Sequence, residues 1–316
     1  MNYIVIDLEW NQCPGGGTEV EEFPFEIIEI GAVKLDEKRE VLEKFHELIC
    51  PQVYKELHPK TNEIIHIDME ELKSGNPFCE VIQRFLSWCG DDYYFATWGT
   101  SDLFELQRNM SYYQMSPLGN KPFLYYDVQK LFSLQTEGRK NARSLEYAVD
   151  YWKLEKNENF HRALWDAEYT TRIFQKIEKS MVDSYFSIDY YHNPKTEEDE
   201  VYIVYDNYSK FISKEYDSKE KLMENSKIKD IFCCRCGAKA TKRIRWFSSN
   251  LKNYYCLAYC KEHGYLKGRI RIHKTKDGKV FAVKIVSMIT AEKAALLQEK
   301  FQEVRLHKQK RRKVKN

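Results

Sequence analysis

Charge divides this 316-residue chain into two unlike parts. Residues 1–230 carry 27 Lys and Arg against 43 Asp and Glu, a balance of −16; residues 231–316 carry 23 against 5, a balance of +18. The near-neutral total of +2 hides both. So sharp a polarity predicts two units, and length alone also suggests about two domains. The basic part suits a polyanion such as nucleic acid, although a solvated basic tail would have the same composition. Cysteines divide at the same place: Cys13, Cys50, Cys79 and Cys89 are scattered through the acidic part, and the other five fall between Cys233 and Cys260. An odd total of nine without a secretion signal argues for reduced thiols. No stretch of 18 or more apolar residues occurs, so no membrane-spanning helix and no membrane partner are expected. The opening MNYIVIDLEW lacks the marks of a signal peptide, and a cytoplasmic location is expected.

Apolar periodicity predicts strands at 2–8, 26–35 and 41–49, with Asp36 to Arg39 as the turn between the last two. Residues 79–89 repeat apolar positions near i, i+3, i+4 and i+7, as an amphipathic helix does. A strand at 93–98, a helix from Asp102 to Tyr113, a short strand at 123–126 and helices from Asp127, at 144–152 and at 162–180 follow. Strands in a meander and then strands alternating with helices make an α/β domain over residues 1–180. Residues 181–230 read as a connector with some structure, including a strand at 201–206. Residues 231–275 read as a cysteine-bearing module, and 276–316 as a basic hairpin, a helix from Ala291 to Leu306 and a frayed tail.

Three short motifs carry the chemistry. Asp7-Leu8-Glu9 ends the first strand, and two-residue alternation puts both carboxylates on one face, about 7 Å apart. Like charges at the mouth of an apolar strand repel unless a cation neutralises them, and hard divalent cations prefer oxygen ligands. Alone, the triplet reads better as a pair of exposed strand-end acids than as a metal site. In Trp98-Gly99-Thr100-Ser101-Asp102 a strand ends, the glycine permits a turn, and Asp102 stands at a helix start, where it would also serve as a cap residue. In His161-Arg162-Ala163-Leu164-Trp165-Asp166 a histidine precedes an acid by five residues at the start of the last long helix.

In this order the motifs resemble those of the DEDDh 3′→5′ exonucleases of the RNase T and DNA polymerase III epsilon superfamily. Residues 23–35, Trp98-Gly99 and 161–167 are most similar to Eri-type and KapD-like members. The resemblance covers about residues 1–180 and implies an RNase H-like mixed sheet flanked by helices. It further implies that Asp7, Glu9, Asp102 and Asp166 hold two Mg²⁺ or Mn²⁺ ions, roughly 3.5–4 Å apart, that clamp the attacking and leaving oxygens of a phosphodiester. His161 would be the general base, its reference pKa of about 6.5 being close to the working pH. The products would be nucleoside 5′-monophosphates. Leu8, Trp10 and Phe25 are candidates for wedging or stacking against terminal bases, or else for plain core packing. Glu29 is either a further acid near the metals or a polar residue at the sheet edge.

In the basic part, Cys233-x2-Cys236-Gly237 and Cys260-x2-His263-Gly264 are shaped like zinc knuckles. Thiolates and imidazole in fours suit one tetrahedral, structural Zn²⁺ in a zinc-ribbon-like module. Cys233, Cys236, Cys260 and His263 are the expected ligands, with Cys234 or Cys256 as possible substitutes. Between the knuckles, basic and aromatic residues alternate, a composition suited to RNA or single-stranded DNA.

The combined expectation is a metal-dependent 3′→5′ exonuclease acting on single-stranded nucleic acid, RNA favoured over DNA. A KapD-like regulatory protein acting on a protein partner is the alternative of another class, since such relatives are associated with inhibiting a sporulation kinase pathway. The intact set of acids argues for the enzyme. Proofreading for a polymerase would need a polymerase-binding segment, and none is recognisable.

Overall fold

The computed structural model describes residues 1–14, 19–65, 67–138, 141–156, 160–248, 250 and 252–315; side chains at 308 and 310–315 lie outside the description. The chain forms two compact units, Met1–Tyr191 and His192–Asn316.

The first unit runs β1 (Asn2–Gln12), β2 (Phe25–Leu35), β3 (Val41–Leu48), α1 (Pro59–Ile65), α2 (Met69–Lys73), α3 (Phe78–Cys89), β4 (Tyr93–Thr97), α4 (Ser101–Tyr112), β5 (Phe123–Asp127), α5 (Val128–Glu137), α6 (Leu145–Tyr151), α7 (Ala163–Lys176), α8 (Lys179–Ser184) and β6 (Ser187–Asp189). Its sheet has the order β3-β2-β1-β4-β5-β6. The pairs β1–β4 and β4–β5 are parallel and the others antiparallel. This is the mixed sheet flanked by helices expected from the sequence.

Alternation along β1 decides where the acids go. Ile4, Ile6 and Leu8 join a core with Phe78, Val81, Ile82 and Phe85 of α3 and Leu103 and Leu106 of α4. Val5, on the opposite face, packs with Leu131 and Phe132 of α5 and Ala167, Ile173 and Phe174 of α7. Asp7 and Glu9 continue the Val5 face, so the strand carries them to the α7 side once the apolar positions run out. Burying each large side chain of these cores contributes about 1.5–3 kcal/mol, which is what holds the strand in register.

Helix α7 crosses β2 closely. A Cβ built on Gly31 would stand 2.1 Å from the backbone nitrogen of Leu164 and 2.2 Å from the carbonyl carbon of Ala163. Only glycine lets the first turn of α7 lie against the sheet at this point.

The second unit runs β7 (Val201–Val204), β8 (Tyr208–Ile212), α9 (Lys219–Glu224), α10 (Ser226–Lys229), β9 (Thr241–Phe247), β10 (Asn253–Cys260), β11 (Gly264–Lys274), β12 (Val280–Met288) and α11 (Ala291–Lys315). Its six strands form one sheet in the order β7-β8-β12-β11-β10-β9. Leu222 of α9 and Ile228 of α10 pack with Phe211, Ile270 and Ala282, while Ala294 and Leu297 of α11 pack with Ile244, Phe247 and Leu257. Two sequence expectations change here. Residues 192–230 are not a connector but supply two strands and two helices of this unit, and β11 and β12 pair from Leu266↔Met288 to Lys274↔Val280 across the division expected at 275. Helix α11 also continues past Leu306 to Lys315.

Candidate active site and cysteine cluster

Three segments deliver the four acids. Asp7 lies opposite Gly31 in the β1–β2 register, and Glu9 opposite Glu29. Just beyond Glu9 the register shifts, and Asn109 of α4 satisfies the disturbed strand: its Nδ2 donates to the Phe25 carbonyl at 3.0 Å and its Oδ1 accepts from the Ile27 N–H at 3.1 Å. Asp102, in the first turn of α4, is buried near the backbone N–H of Leu8 on β1. Asp166, in the first turn of α7, accepts from the His161 backbone N–H at 3.2 Å.

Glu9, His161 and Asp166 each offer a ligand atom, all within 4.8 Å of one another. His161 is exposed and sits at φ 68°, a left-handed conformation that costs a non-glycine residue roughly 1–2 kcal/mol. Asp166 Oδ1 is buried and has no hydrogen-bond partner among the described residues. An orphaned carboxylate oxygen in a cluster of acids is what a hard divalent cation would satisfy.

Electrostatics point the same way. Burial, then the charges of Asp102, Glu9 and Asp166, push the Asp7 carboxyl well above the usual carboxylate range. Burial and then Asp166 and Glu29 push Glu9 up to about 8, with Arg162 pulling weakly back. Burial raises Asp102 to about 7 against its backbone hydrogen bonds, and raises Asp166 to about 6 against the bond from His161. Four acids that resist ionising together form a site short of positive charge.

Sequence reasoning undervalued Glu29. It is fully buried, not at an edge, and its carboxylate receives His46 Nε2 at 2.6 Å, Arg162 Nε at 3.1 Å and the Ala163 N–H at 3.2 Å. It thereby holds the start of α7, including the residue that follows His161, and favours the positive end of that helix. An acid inside the apolar run of residues 27–33 was the signal available. The three substrate-contact candidates separate. Leu8 is 3% exposed and belongs to the core, which leaves it no surface to offer a base. Trp10 and Phe25 are half-buried neighbours with ring centroids 5.8 Å apart.

The second unit gathers Cys233, Cys236, Cys260 and His263, whose ligand atoms also lie within 4.8 Å of one another. Cys236 Sγ is 3.7 Å from Cys260 Sγ, and His263 Nδ1 is 3.7 Å from Cys233 Sγ and 3.8 Å from Cys260 Sγ. Thiolates about 2.3 Å from a tetrahedral zinc stand about 3.8 Å apart, so the spacing fits that ion. The His263 ring beside it draws the Cys260 thiol down to about 6. The second knuckle is the β10–β11 turn, closed by Gly264 at φ 82°. Cys256 is not part of the cluster: it is wholly buried, packs with Ile231 and Leu266, and burial pushes its thiol up to about 12. Cys234 is buried and likewise outside the group of four.

A family model described as RNase_T, exonuclease, matches residues 4–174. The chain belongs to this exonuclease family. Among solved structures, the exonuclease unit is similar to the nuclease domain of 3′hExo, a DEDDh family member bound to rAMP, at 17% identity and a TM-score of 0.50, covering 59% of this chain and 96% of that one. A full-length 3′-exonuclease is similar at 18% identity and a TM-score of 0.48, covering 55% and 80%. Pop2p of S. pombe, in its Mg²⁺- and Mn²⁺-bound form, is similar at 17% identity and a TM-score of 0.42, covering 55% and 82%. At 17% identity the likeness to the 3′hExo nuclease domain speaks to the fold of the exonuclease domain alone. No curated protein matches the sequence significantly. Among the described residues, no helix is long and apolar enough to cross a membrane.

Proposed function

We propose that this exonuclease is of the DEDDh type and removes nucleotides from the 3′ end of single-stranded nucleic acid, RNA in preference to DNA, releasing nucleoside 5′-monophosphates. The observation that carries this reading is the convergence of Glu9, His161 and Asp166 within 4.8 Å, with Asp166 Oδ1 unpartnered among the described residues beside them. Asp7, Glu9, Asp102 and Asp166 would hold two Mg²⁺ or Mn²⁺ ions, which when bound would supply Lewis acidity at the phosphate and ease deprotonation of the attacking water. The His161 imidazole takes the proton as the water oxygen forms its bond to phosphorus, and the P–O3′ bond breaks toward the shortened strand. Glu29, through Arg162 and Ala163, keeps the segment that carries His161 in place. Trp10 and Phe25 offer ring faces to the terminal bases.

The test uses RNA and DNA oligonucleotides of matched sequence, labelled at either end, with Mg²⁺ or Mn²⁺. A ladder shortening from the 3′ end with 5′-monophosphate products is expected, faster on RNA. Release of the 5′ label first, or intact strands at every metal concentration, would overturn the reading.

The shifted carboxyls make a second test. A carboxyl whose folded pKa is raised stabilises the fold fully below the unfolded value near 4, and that contribution is lost as pH rises through the folded value. With Asp166 near 6, Asp102 near 7 and Glu9 near 8, the metal-free exonuclease should lose thermal stability between about pH 5 and 8. Divalent cations replace the protons, so Mn²⁺ should raise the melting temperature more at pH 8 than at pH 5.5. Scanning fluorimetry that shows no metal effect at pH 8 would contradict the site.

The cysteine cluster is proposed to hold one structural Zn²⁺, with no open position for substrate. Metal analysis of the purified protein should give about one zinc per chain. Cys236→Ser and Cys260→Ser should lose it and melt earlier, because metal binding is coupled to folding. Cys234→Ser and Cys256→Ser should retain it; loss of zinc in the Cys256 variant alone would mean the ligand set is wrong.

A further inference from the structure

The sheet of the second unit bears an uncompensated basic face. Along β11, Leu266, Gly268 and Ile270 are buried on one side, while Lys267, Arg269 and Arg271 point to the other at a repeat of about 6.8 Å. The register sets Leu257, Tyr255 and Asn253 of β10 directly opposite these three cations, on the same face. Helix α11 packs over part of this face, with Phe301 against Phe247, and adds Lys300.

Rings and cations alternate across it. Lys267 Nζ lies 5.4 Å and Lys300 Nζ 4.7 Å from the centre of the Tyr255 ring, and the Arg243 guanidinium lies 5.3 Å from the centre of the Tyr259 ring. None of Arg243, Lys267, Arg269, Arg271, Lys293 and Lys300 forms an ion pair with a described carboxylate. Elsewhere in this unit lysines are paired: Lys239 and Lys242 hold Asp230, and Lys195 and Lys279 hold Glu215. Burial and then Arg269, Lys300 and Lys293 depress the Lys267 ammonium, so the cations repel one another in the free protein.

We propose that this face, centred on Tyr255, Lys267, Arg269 and Arg271, is a binding site for single-stranded nucleic acid that grips the strand independently of the exonuclease site. A row of cations unpaired among the described residues matches a phosphate backbone, and the half-buried rings of Tyr255 and Tyr259 among them give the bases a stacking surface. An anionic membrane would match the charge, but the rings lie on strand β10 within the sheet rather than on a protruding apolar edge. The β10–β11 turn at one end of the face is the second cysteine knuckle, so zinc at Cys260 and His263 would brace the hairpin that carries it.

The experiment measures fluorescence anisotropy of a labelled single-stranded oligonucleotide with full-length protein carrying Asp7→Asn to prevent cleavage, over a range of salt. Adding Lys267→Glu, Arg269→Glu and Arg271→Glu should weaken binding at least tenfold. It should also flatten the dependence of log affinity on log salt by about 2, that is, about 0.7 for each of three lost contacts. Tyr255→Ala should weaken binding and leave the slope unchanged, and Arg269→Lys with Arg271→Lys should restore both. Zinc content and melting temperature confirm that each variant is folded. Unchanged affinity and slope in the folded triple variant would overturn the proposal, as would binding to anionic phosphatidylserine vesicles in place of the oligonucleotide. The outcome is separate from that of the proposed activity: a strand bound but never shortened removes the enzyme and keeps this face, and normal shortening with unchanged binding does the reverse.

Discussion

Asp7→Asn is expected to lower turnover by roughly a thousandfold or more, while the metal-free protein melts at a higher temperature than the parent at pH 8. The first effect follows from the loss of an acid that faces Asp102, Glu9 and Asp166 together. A loss of about 4 kcal/mol of transition-state stabilisation is a factor of about a thousand, and a metal clamp contributes several kcal/mol. The second effect has the opposite sign because the same carboxylate is costly without metal: burial and four neighbouring acids oppose its charge. Removing that charge relieves the repulsion, and it should also remove most of the Mn²⁺-dependent rise in melting temperature. Single-turnover cleavage and scanning fluorimetry on the same preparation measure both effects. A variant that retains turnover within tenfold, or that melts lower without metal, would show that Asp7 does not belong to such a site.

Gly31→Ala is expected to damage the enzyme from outside the site. Its Cβ would enter the backbone of α7 at 2.1 Å from Leu164 N and 2.4 Å from the Ala163 carbonyl oxygen. Backbone cannot swing aside as a flexible side chain does, so the first turn of α7 must withdraw from the sheet. Overpacking of this kind costs about 1–3 kcal/mol, or roughly 2–4 °C in melting temperature for each kcal/mol in a domain of this size. The larger loss is catalytic. His161 and Asp166 move with that turn while Asp7 and Glu9 stay on β1, and a misplacement of about 1 Å costs about a hundredfold. Gly119→Ala is the control, because its nearest new neighbour is the Lys121 carbonyl oxygen at 3.6 Å. Equal turnover and equal stability for the Gly31 and Gly119 variants would exclude the account.

Asp7-x-Glu9, the acid after Trp98-Gly99 and the His161-x4-Asp166 spacing are legible because they are local: strand alternation and helix starts place each side chain within its own segment. The charge division at residue 230 and the paired cysteine knuckles are legible for the same reason. Glu29 was not, since its role depends on three partners brought by β3 and by the start of α7, at separations of 17, 133 and 134 residues. Leu8 reads as a candidate wedge next to two acids, yet alternation on a sheet covered on both faces sends it into the core.

What the sequence by itself determined is the chemical inventory: four acids and a histidine in one half, three thiols and a histidine in the other, and an excess of cations beside the latter. Only the tertiary structure decided which of them meet. It drew the unit boundary between Tyr191 and His192, because strand pairing joins β8 to β12 at separations of 71 to 79 residues and no local composition reports that pairing. It put Cys256 in the core and left Cys233, Cys236, Cys260 and His263 together. It made Gly31 indispensable to the acids, because the closeness of a helix to a strand is set by packing between distant segments and not by the residues on either side of a glycine.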